Sequence, residues 1–230
     1  MRVDIWSDVV CPWCYIGKRR LETALGKFAH AGDVEIEWHS FELDPHAPRV
    51  VEGDPAARLA AKYGMSRDEA VVNQARLTSL AAEEGLTFRL GDSRSGNTFD
   101  AHRLLHLAAD RGVQGQAKER LLAAYLTEGE AIGDPETLVR LVSEAGVDRE
   151  EARLVLASDK YADEVRADER RAQELAITGV PFFVMGGRYA VPGAQPAELL
   201  LEALNRAWDE SQPVVLSGDG PVCDGDSCAI

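Results

Sequence analysis

Two cysteines separated by two residues are the part of this sequence best suited to chemistry. Cys11 and Cys14 enclose Pro12 and Trp13, and a thiol pair at this spacing can cycle between dithiol and disulfide. Pro12 suits a first helical turn, because its missing N–H would have no partner there. Such a helix start would stabilise a thiolate on Cys11 through its unpaired N–H groups. We therefore expect Cys11 to be an exposed nucleophile with a lowered pKa, and Cys14, one turn later, to be the more buried resolving thiol.

A metal site is the alternative use of this motif. A structural zinc ion needs four ligands, and one Cys-x-x-Cys pair supplies two. Cys223 and Cys228 could complete a Cys₄ site only if the end of the chain folded back onto the motif. We favour redox chemistry and expect no metal. The second pair is then either two surface thiols without a role or an auxiliary dithiol that exchanges with Cys11 and Cys14.

Two strand-like segments flank the motif and its helix. Residues 2–7 alternate between apolar and polar side chains, and a helix over 12–30 leads to a second strand over 34–43. A strand–helix–strand unit joins parallel strands, so the motif would lie at the crossover between them. In the second strand we expect these side chains to face inward: Val34, Ile36, Trp38 and Phe41.

Strand patterns return near the end of the chain. An apolar run over 180–185, a turn signal at Gly186-Gly187 and a strand over 189–191 predict a hairpin. Residues 196–209 predict a closing helix. Between the two strand regions, nearly every segment from 55 to 176 has helical periodicity.

These patterns predict an α/β protein with a thioredoxin-like fold and an inserted all-helical domain. A Cys-x-x-Cys motif beside a strand–helix–strand unit is typical of that fold. We expect a discontinuous thioredoxin-like domain over residues 1–45 and 177–210 and a helical insertion over 46–176. Residues 211–230 are rich in Pro, Gly, Asp and Ser and predict a mostly disordered, flexible tail that carries the second cysteine pair.

Composition and charge exclude some classes of partner. The chain has 230 residues and a net charge of −14, so a large phosphate-binding surface for nucleic acid is not expected. No apolar run approaches the roughly 20 residues that a membrane span needs. The first residues lack the pattern of a secretory signal. We therefore expect a cytoplasmic protein that acts on neither nucleic acid nor membranes, in a compartment where thiols are kept reduced.

The dipeptide Val180-Pro181 opens the late apolar run. In thioredoxin-like folds a cis proline faces the Cys-x-x-Cys pair and leaves the backbone of the preceding residue free to pair with an extended substrate. The cis form of an X–Pro bond costs only about 0.5–1 kcal/mol relative to trans. We predict a cis bond between Val180 and Pro181 at the catalytic site.

Three segments together resemble one protein family. Residues 5–18, 97–104 and 178–184 are similar, in order, to the opening, the helical-insertion motif and the cis-proline strand of the FrnE-like branch of DsbA-family thiol–disulfide oxidoreductases. The resemblance implies dithiol–disulfide exchange with protein or peptide substrates and no metal or organic cofactor. It also makes three residues candidates for lining the groove opposite Cys11: Asn97, Phe99 and His102.

Each candidate also has a plainer interpretation. His102 can be a helix histidine without a role in the chemistry, and Asn97 can cap its helix. Trp13 can be an exposed apolar contact for substrate or can pack beneath its helix start. In the periplasmic DsbA pattern this position is a His that helps to stabilise the thiolate. Trp13 brings no charge, so very strong oxidising power is not expected. His39, in the second strand, we interpret as structural.

Two other functions stay open from the sequence. Kappa-class glutathione transferases and 2-hydroxychromene-2-carboxylate isomerases belong to the same superfamily, use glutathione and typically lack the cysteine pair. The retained pair favours redox exchange, with glutathione as a possible co-substrate, over a glutathione-dependent isomerase or transferase. The other alternative is a non-enzymatic holdase or zinc-binding module.

Overall fold

The computed structural model describes residues 1–51 and 53–211, and the backbone of residues 223–224 and 227–228. The predicted disorder of the tail concerns residues that otherwise lie outside this description. Within the tail, Cys223–Asp224 and Ser227–Cys228 pair as short antiparallel strands, and Cys223 is directly opposite Cys228.

A four-stranded mixed sheet forms the frame of the molecule. Its strands are β1 (Arg2–Ser7), β2 (Glu35–Ser40), β3 (Phe182–Met185) and β4 (Tyr189–Pro192), in the order β2-β1-β3-β4. β1 is parallel to β2 and antiparallel to β3, and β3 and β4 form the hairpin predicted around Gly186-Gly187. The α/β thioredoxin-like architecture is therefore confirmed.

Two helices pack on one face of this sheet. α1 (Pro12–Lys27) begins within the motif, and α9 (Ala197–Ser211) follows the β3–β4 hairpin. Their buried side chains form one apolar cluster with β1 and β3, including Ile5, Leu21 and Phe183. α1 ends three residues before the predicted end at residue 30, since a short 3₁₀ turn over Ala31–Asp33 follows it.

The burial of β2 corrects one prediction. Trp38 is buried, but Ile36, expected on the same inward face, is 36% exposed. β2 is the edge strand, and Gln114 covers only its later part by bonding both the backbone N–H and the carbonyl of Trp38. No such cover reaches Ile36, so alternation alone overstates how much of an edge strand is buried.

The helical block lies between β2 and β3 in the chain. Its helices are α2 (Pro55–Tyr63), α3 (Arg67–Glu83), α4 (Phe99–Asp110), α5 (Gln114–Ala123), α6 (Pro135–Glu144), α7 (Arg149–Leu156) and α8 (Ala162–Glu174). A π-helical turn over Ala124–Glu128 extends α5. None of the helices in the described part of the chain is long and apolar enough to cross a membrane.

The helical block and the cysteine motif share one apolar cluster. Cys11, Cys14 and Ile16 belong to the same buried cluster as Leu104 of α4 and Leu121 of α5. An ionic contact strengthens this junction, because Glu119 of α5 accepts hydrogen bonds from Tyr15, Lys18 and Arg19 of α1. The start of α1 is therefore held from two sides, by the sheet and by the helical block.

Candidate functional site

The motif begins where the chain turns from β1 into α1. Cys11 is the N-cap of α1 with extended backbone, and Pro12 occupies the first helical position, as predicted. The backbone N–H of Cys14 donates to the carbonyl of Cys11 at 3.0 Å, which closes the first turn. The two thiols therefore lie on the first turn of a helix at the end of a buried strand.

The cis bond between Val180 and Pro181 faces the first thiol. Cys11 Sγ donates to the carbonyl oxygen of Val180 at 3.6 Å, a distance normal for a sulfur donor. Pro181 is itself buried against α1. A Cβ on Gly17 would be 2.9 Å from Pro181 Cγ and 3.3 Å from Phe183 Cζ. Glycine at position 17 is therefore what allows the cis-proline loop to approach α1 this closely.

Burial of the two thiols differs from the prediction for Cys11. Cys14 is 1% exposed, as expected for a resolving thiol, but Cys11 is also buried, with 4% exposure. The reason is that the Val180-Pro181 loop covers its sulfur. Trp13, between them, is 43% exposed and provides the apolar surface at the motif. Only a small part of Cys11 therefore faces solvent, beside a large exposed indole.

The two thiols shift each other's pKa in opposite directions. Their mutual hydrogen bond, together with burial, raises the pKa of Cys11 well above its ordinary value. Burial also raises the pKa of Cys14, but the hydrogen bond from Cys11 and the positive charge of Lys118 outweigh it and lower that pKa overall. The neighbouring thiol and Lys118 therefore favour a dithiol that holds a single negative charge. The direction for Cys11 is opposite to the lowered pKa expected from the helix N-terminus, because the hydrogen bond with Cys14 and burial both raise its pKa.

A buried lysine lies beneath the dithiol. Lys118 of α5 is fully buried, and its Nζ donates to the backbone carbonyl of Ser7 at 3.0 Å. Burial lowers the pKa of Lys118 to about 8, while the charges of Cys14 and Asp8 act in the opposite direction. The ammonium group also lies 5.5 Å from the centre of the Trp38 ring. The helical block thus supplies the positive charge that faces the Cys14 thiolate.

An acid and a histidine complete this buried polar group. Asp8 is 1% exposed, its Oδ2 accepts from the backbone N–H of Leu43, and its Oδ1 is 3.3 Å from His102 Nε2. Burial raises the pKa of Asp8, but hydrogen bonding and the charges of His102 and Lys118 lower it overall. Burial also lowers the pKa of His102, which favours the neutral ring. His102 Nδ1 and Ser7 Oγ have no hydrogen-bond partner among the described residues.

His102 is therefore not the groove residue that the sequence predicted. It is completely buried on α4, and its Nε2 contacts Asp8. Asn97 caps its helix, as its plainer interpretation predicted. Its Oδ1 accepts from the backbone N–H of Phe99 at 2.9 Å at the start of α4. Its Nδ2 donates to Glu42 and to the carbonyl of Pro45.

Phe99 is half-buried at the start of α4. Its ring packs under the guanidinium of Arg166, whose Cζ is 4.4 Å from the ring centre. Phe99 and Asn97 line a cavity of about 240 Å³ together with Arg49 and Gly133. These two residues and the dithiol are not brought together in one cleft.

His39 has the structural role expected of it. Its Nε2 is 2.8 Å from Asp4 and its Nδ1 is 2.7 Å from Asp168, and its ring stacks on Trp6. These contacts tie β1 and β2 to α8. Burial lowers the pKa of His39, but the two carboxylates outweigh it and raise the pKa overall.

Sequence reasoning missed the polar group beneath the motif, although a signal was present. Lys118 falls among the apolar positions of its helix, beside Ala117 and one turn before Leu121 and Leu122. A charged residue inside an apolar stripe is rare in a core unless it has a partner. Asp8 stands between the buried end of β1 and the motif, which is a second unusual place for a charge.

Residues 2–205 match the family described as "DSBA-like thioredoxin domain". The chain is also similar to the crystal structure of a probable DsbA oxidoreductase from Streptomyces coelicolor, with 47% identity and a TM-score of 0.89. That match covers 100% of this chain and 99% of the other.

Two more distant structures have the same fold. One is a 2-hydroxychromene-2-carboxylate isomerase, with 21% identity, a TM-score of 0.64 and coverage of 91% of this chain and 97% of the other. The other is the cytosolic disulfide reductase DsbM from Pseudomonas aeruginosa with GSH, with 18% identity, a TM-score of 0.57 and coverage of 92% and 98%. At these identities the likeness concerns the fold.

Proposed function

The chain belongs to the family of DSBA-like thioredoxin domains, and from this membership we propose that it is a thiol–disulfide oxidoreductase acting through Cys11 and Cys14. One observation carries the proposal. The paired thiols occupy the first turn of α1, and Cys11 Sγ lies 3.6 Å from the carbonyl of the residue before the cis proline. Known disulfide chemistry needs a nucleophilic thiol, a second thiol in reach, and a place for substrate backbone beside them.

The reaction is a two-step exchange in which electrons and protons balance. Cys11 as thiolate attacks one sulfur of a substrate disulfide, forms a mixed disulfide and releases the first substrate thiolate. Cys14 as thiolate then attacks Cys11 Sγ, forms the Cys11–Cys14 disulfide and releases the second. The substrate gains two electrons and, from solvent, two protons. The reverse sequence oxidises a substrate dithiol.

The hydrogen bond between the thiols allows the negative charge to move from Cys14 Sγ to Cys11 Sγ by proton transfer. With one proton shared by the pair, the thiolate rests on Cys14, and transfer of that proton from Cys11 produces the attacking thiolate. Cys11 performs the attack because it is the thiol beside the Val180-Pro181 loop. Lys118 faces Cys14 and stabilises the thiolate that resolves the mixed disulfide. Asp8, held in place by His102 and Leu43, balances the charge of Lys118 in this buried space.

Substrate positioning falls to the residues around Cys11. Val180 is half-buried, and its carbonyl is the acceptor beside the sulfur, so an extended substrate segment can pair with this backbone. Pro181 fixes the loop against α1, and Pro12 fixes the helix start. Trp13 offers an exposed ring to apolar side chains of a protein or peptide substrate.

More specifically, we propose that the protein belongs to the FrnE-like branch and acts in the cytoplasm without a metal or organic cofactor. The motif resemblance supports the branch, and the uncharged Trp13 supports a potential less oxidising than that of a Cys-Pro-His-Cys protein. Glutathione would serve as a co-substrate. The neighbouring isomerase fold leaves a glutathione-dependent isomerase or transferase as the alternative, which the retained thiol pair disfavours.

The tail cysteines would form an auxiliary dithiol. Cys223 and Cys228 occupy opposite positions of a short antiparallel pair, which supports disulfide formation between them. Their side chains lie outside the described residues. We propose that this pair exchanges with Cys11 and Cys14 or passes electrons to a partner.

The experiment compares disulfide turnover by the intact protein and by the Cys11→Ser variant. Reduction of insulin, and glutathione-coupled reduction of a mixed disulfide, should be lost in the variant. Equal activity in both proteins would overturn the proposal. Glutathione conjugation that survives Cys11→Ser together with Cys14→Ser would instead support the transferase alternative.

A further inference from the structure

A buried hydroxyl group without a hydrogen-bond partner lies at the end of β1, shortly before the motif. Ser7 is the last residue of β1 and is completely buried. Its Oγ has no hydrogen-bond partner among the described residues. An unpaired buried hydroxyl costs free energy, so such groups are rare in folded proteins and call for an explanation.

The same residue binds the cation beneath the thiols. The backbone carbonyl of Ser7 accepts the hydrogen bond from Lys118 Nζ at 3.0 Å. Cys14 lies within reach of the Ser7 hydroxyl in this buried space. Burial raises the pKa of Cys14, and the hydrogen bond from Cys11, the charge of Lys118 and a hydrogen bond from the Ser7 hydroxyl lower it.

The charge on Cys14 decides whether the bond from Ser7 forms. A neutral thiol is a weak acceptor, so the Ser7 hydroxyl has no effective partner beside the uncharged dithiol. A thiolate is a much stronger acceptor, and ionisation of Cys14 therefore provides the partner that the hydroxyl lacks. An interaction that is stronger in the reacting state than in the resting state increases a reaction rate.

Formation of the mixed disulfide removes another donor from Cys14. Once Cys11 Sγ is bonded to a substrate sulfur it carries no proton, so it no longer donates to Cys14. The charge of Lys118, the Ser7 hydroxyl and the backbone of Asp8 then remain to stabilise a thiolate on Cys14. The resolving step therefore depends on Ser7 more than the resting dithiol does.

From this arrangement we infer that the Ser7 hydroxyl donates a hydrogen bond to Cys14 Sγ in the mixed-disulfide intermediate and stabilises the thiolate that attacks Cys11 Sγ. The inference rests on the proposed function, since it adds a residue to the second step of that reaction. In this step the bond between Cys14 Sγ and Cys11 Sγ forms and the bond between Cys11 Sγ and the substrate sulfur breaks. The substrate leaves as a thiolate with the electron pair of the broken bond, and Ser7 keeps its proton.

The chromogenic disulfide 5,5′-dithiobis(2-nitrobenzoate) separates the two steps of the reaction. Attack by Cys11 releases one coloured thiolate at a rate that depends on the reagent concentration. Attack by Cys14 releases the second at a rate that does not. All proteins compared carry Cys223→Ser and Cys228→Ser, so that only the motif reacts. Stopped-flow absorbance over a range of pH gives the rate of the second release.

Ser7→Ala should raise the pKa of Cys14 in the intermediate by about 1, as loss of a hydrogen bond to a charged group implies. Below that pKa the thiolate fraction then falls about tenfold, and the greater nucleophilicity of the more basic thiolate recovers about threefold. The second release should therefore be about threefold slower than in wild type. Above that pKa it should be as fast as in wild type or faster, whereas structural damage would slow it at every pH.

Ser40→Ala is the matched control. Ser40 ends β2, is the register partner of Ser7 and is 2% exposed. Its hydroxyl contacts His106 Nε2 at 3.2 Å. This variant removes a buried hydroxyl from the neighbouring strand end and should keep the wild-type pH profile of the second release.

The outcomes separate this inference from the proposed function. An unchanged pH profile in Ser7→Ala, a rate lowered by the same factor at every pH, or the same change in Ser40→Ala would overturn the inference. If wild-type protein does not release both thiolates, or still releases both after Cys11→Ala, the proposed function itself fails. If Ser7→Ala does not fold, Ser7→Gly removes the same hydroxyl and the same comparison decides.

Discussion

Lys118 Nζ and the carbonyl oxygen of Ser7 are 3.0 Å apart, and this hydrogen bond fixes a fully buried ammonium group of the helical block beneath the dithiol of the sheet domain. The chain between β2 and β3 therefore does more than cover the site. It supplies a positive charge, that of Lys118, which lowers the pKa of Cys14. Loss of the charge on Lys118 should therefore lower the reactivity of the thiols.

The first prediction concerns the pH dependence of thiol reactivity. Lys118→Met removes the charge and keeps a similar shape. Because Lys118 lowers the pKa of Cys14, the first ionisation of the dithiol should move to higher pH in the variant. The pH profile of alkylation by iodoacetamide measures this, and the rate at pH 7 should be several-fold lower than in wild type. Identical profiles would show that Lys118 does not act on the thiols.

The second prediction is that Lys118→Met, although it lowers thiol reactivity, increases the stability of the protein. Burial lowers the pKa of Lys118 from 10.5 to about 8, so the folded state disfavours the ammonium form. This penalty is complete below pH about 8 and fades as the pH rises toward 10.5. Lys118→Met should therefore raise the free energy of unfolding of the reduced protein at pH 7 by on the order of 2 kcal/mol, after allowing for the lost hydrogen bond to Ser7.

Urea denaturation at pH 7 and at pH 10 provides the measurement. The advantage of the variant should be larger at pH 7 and smaller at pH 10. A variant that is less stable than wild type at pH 7 would mean that the ammonium group stabilises the fold, contrary to this account.

Close approach of Pro181 to α1 gives the third prediction. In Gly17→Ala the new methyl group would meet Pro181 Cγ at 2.9 Å and must displace the loop that positions substrate. We expect a loss of stability of about 1–3 kcal/mol and a clear decrease in the rate of disulfide exchange. Gly26→Ala, on the same helix, is the matched control, since a Cβ there meets nothing within 4 Å. The control should keep full activity and gain roughly 0.5–1 kcal/mol of stability.

A decrease in activity that is equal in both variants would point to the helix as a whole rather than to the contact with Pro181. Unchanged activity in Gly17→Ala would mean that the position of the Val180-Pro181 loop does not limit the reaction.

The tail cysteines give the fourth prediction. In a Cys14→Ser variant, Cys11 has no partner in the motif, so an exchanging tail should form a mixed disulfide between Cys11 and Cys223 or Cys228. Peptide mapping by mass spectrometry under non-reducing conditions detects that link. Its absence at equilibrium with an oxidised tail would exclude a relay and leave the two cysteines as surface thiols.

The local sequence pattern was sufficient to predict the strands of the sheet and the position of the Cys-x-x-Cys motif. Alternating apolar residues identified β1 and the β3–β4 hairpin, and Pro12 located the start of α1. These features depend on residues that are neighbours in the chain, where propensity and steric limits operate. The position of Cys11 at a helix N-cap followed directly from them.

Features that depend on distant segments were not predictable in the same way. The burial of Cys11 comes from Val180, 169 residues away. The hydrogen bond from Cys11 lowers the pKa of Cys14, and Lys118, on a different helix, lowers it further. Helix electrostatics alone predicted the lower pKa for Cys11. The pKa of Cys11 is raised instead, because burial by a distant loop adds to the effect of its hydrogen bond with Cys14. Phe99 likewise lies on the helical block and not at the groove, because α4 places its start beside Arg166.

Trapping of the reaction intermediate tests the central claim most directly. The protein is Cys14→Ser with both tail cysteines also changed to Ser, so that Cys11 is its sole thiol, and the substrate is a peptide disulfide. Mass spectrometry should find the released thiol and a stable mixed disulfide on Cys11, with none formed when Cys11 is changed instead and Cys14 is kept. Attachment of the peptide to Cys14 in that second protein at the same rate, or no attachment to Cys11 in the first, would contradict the account.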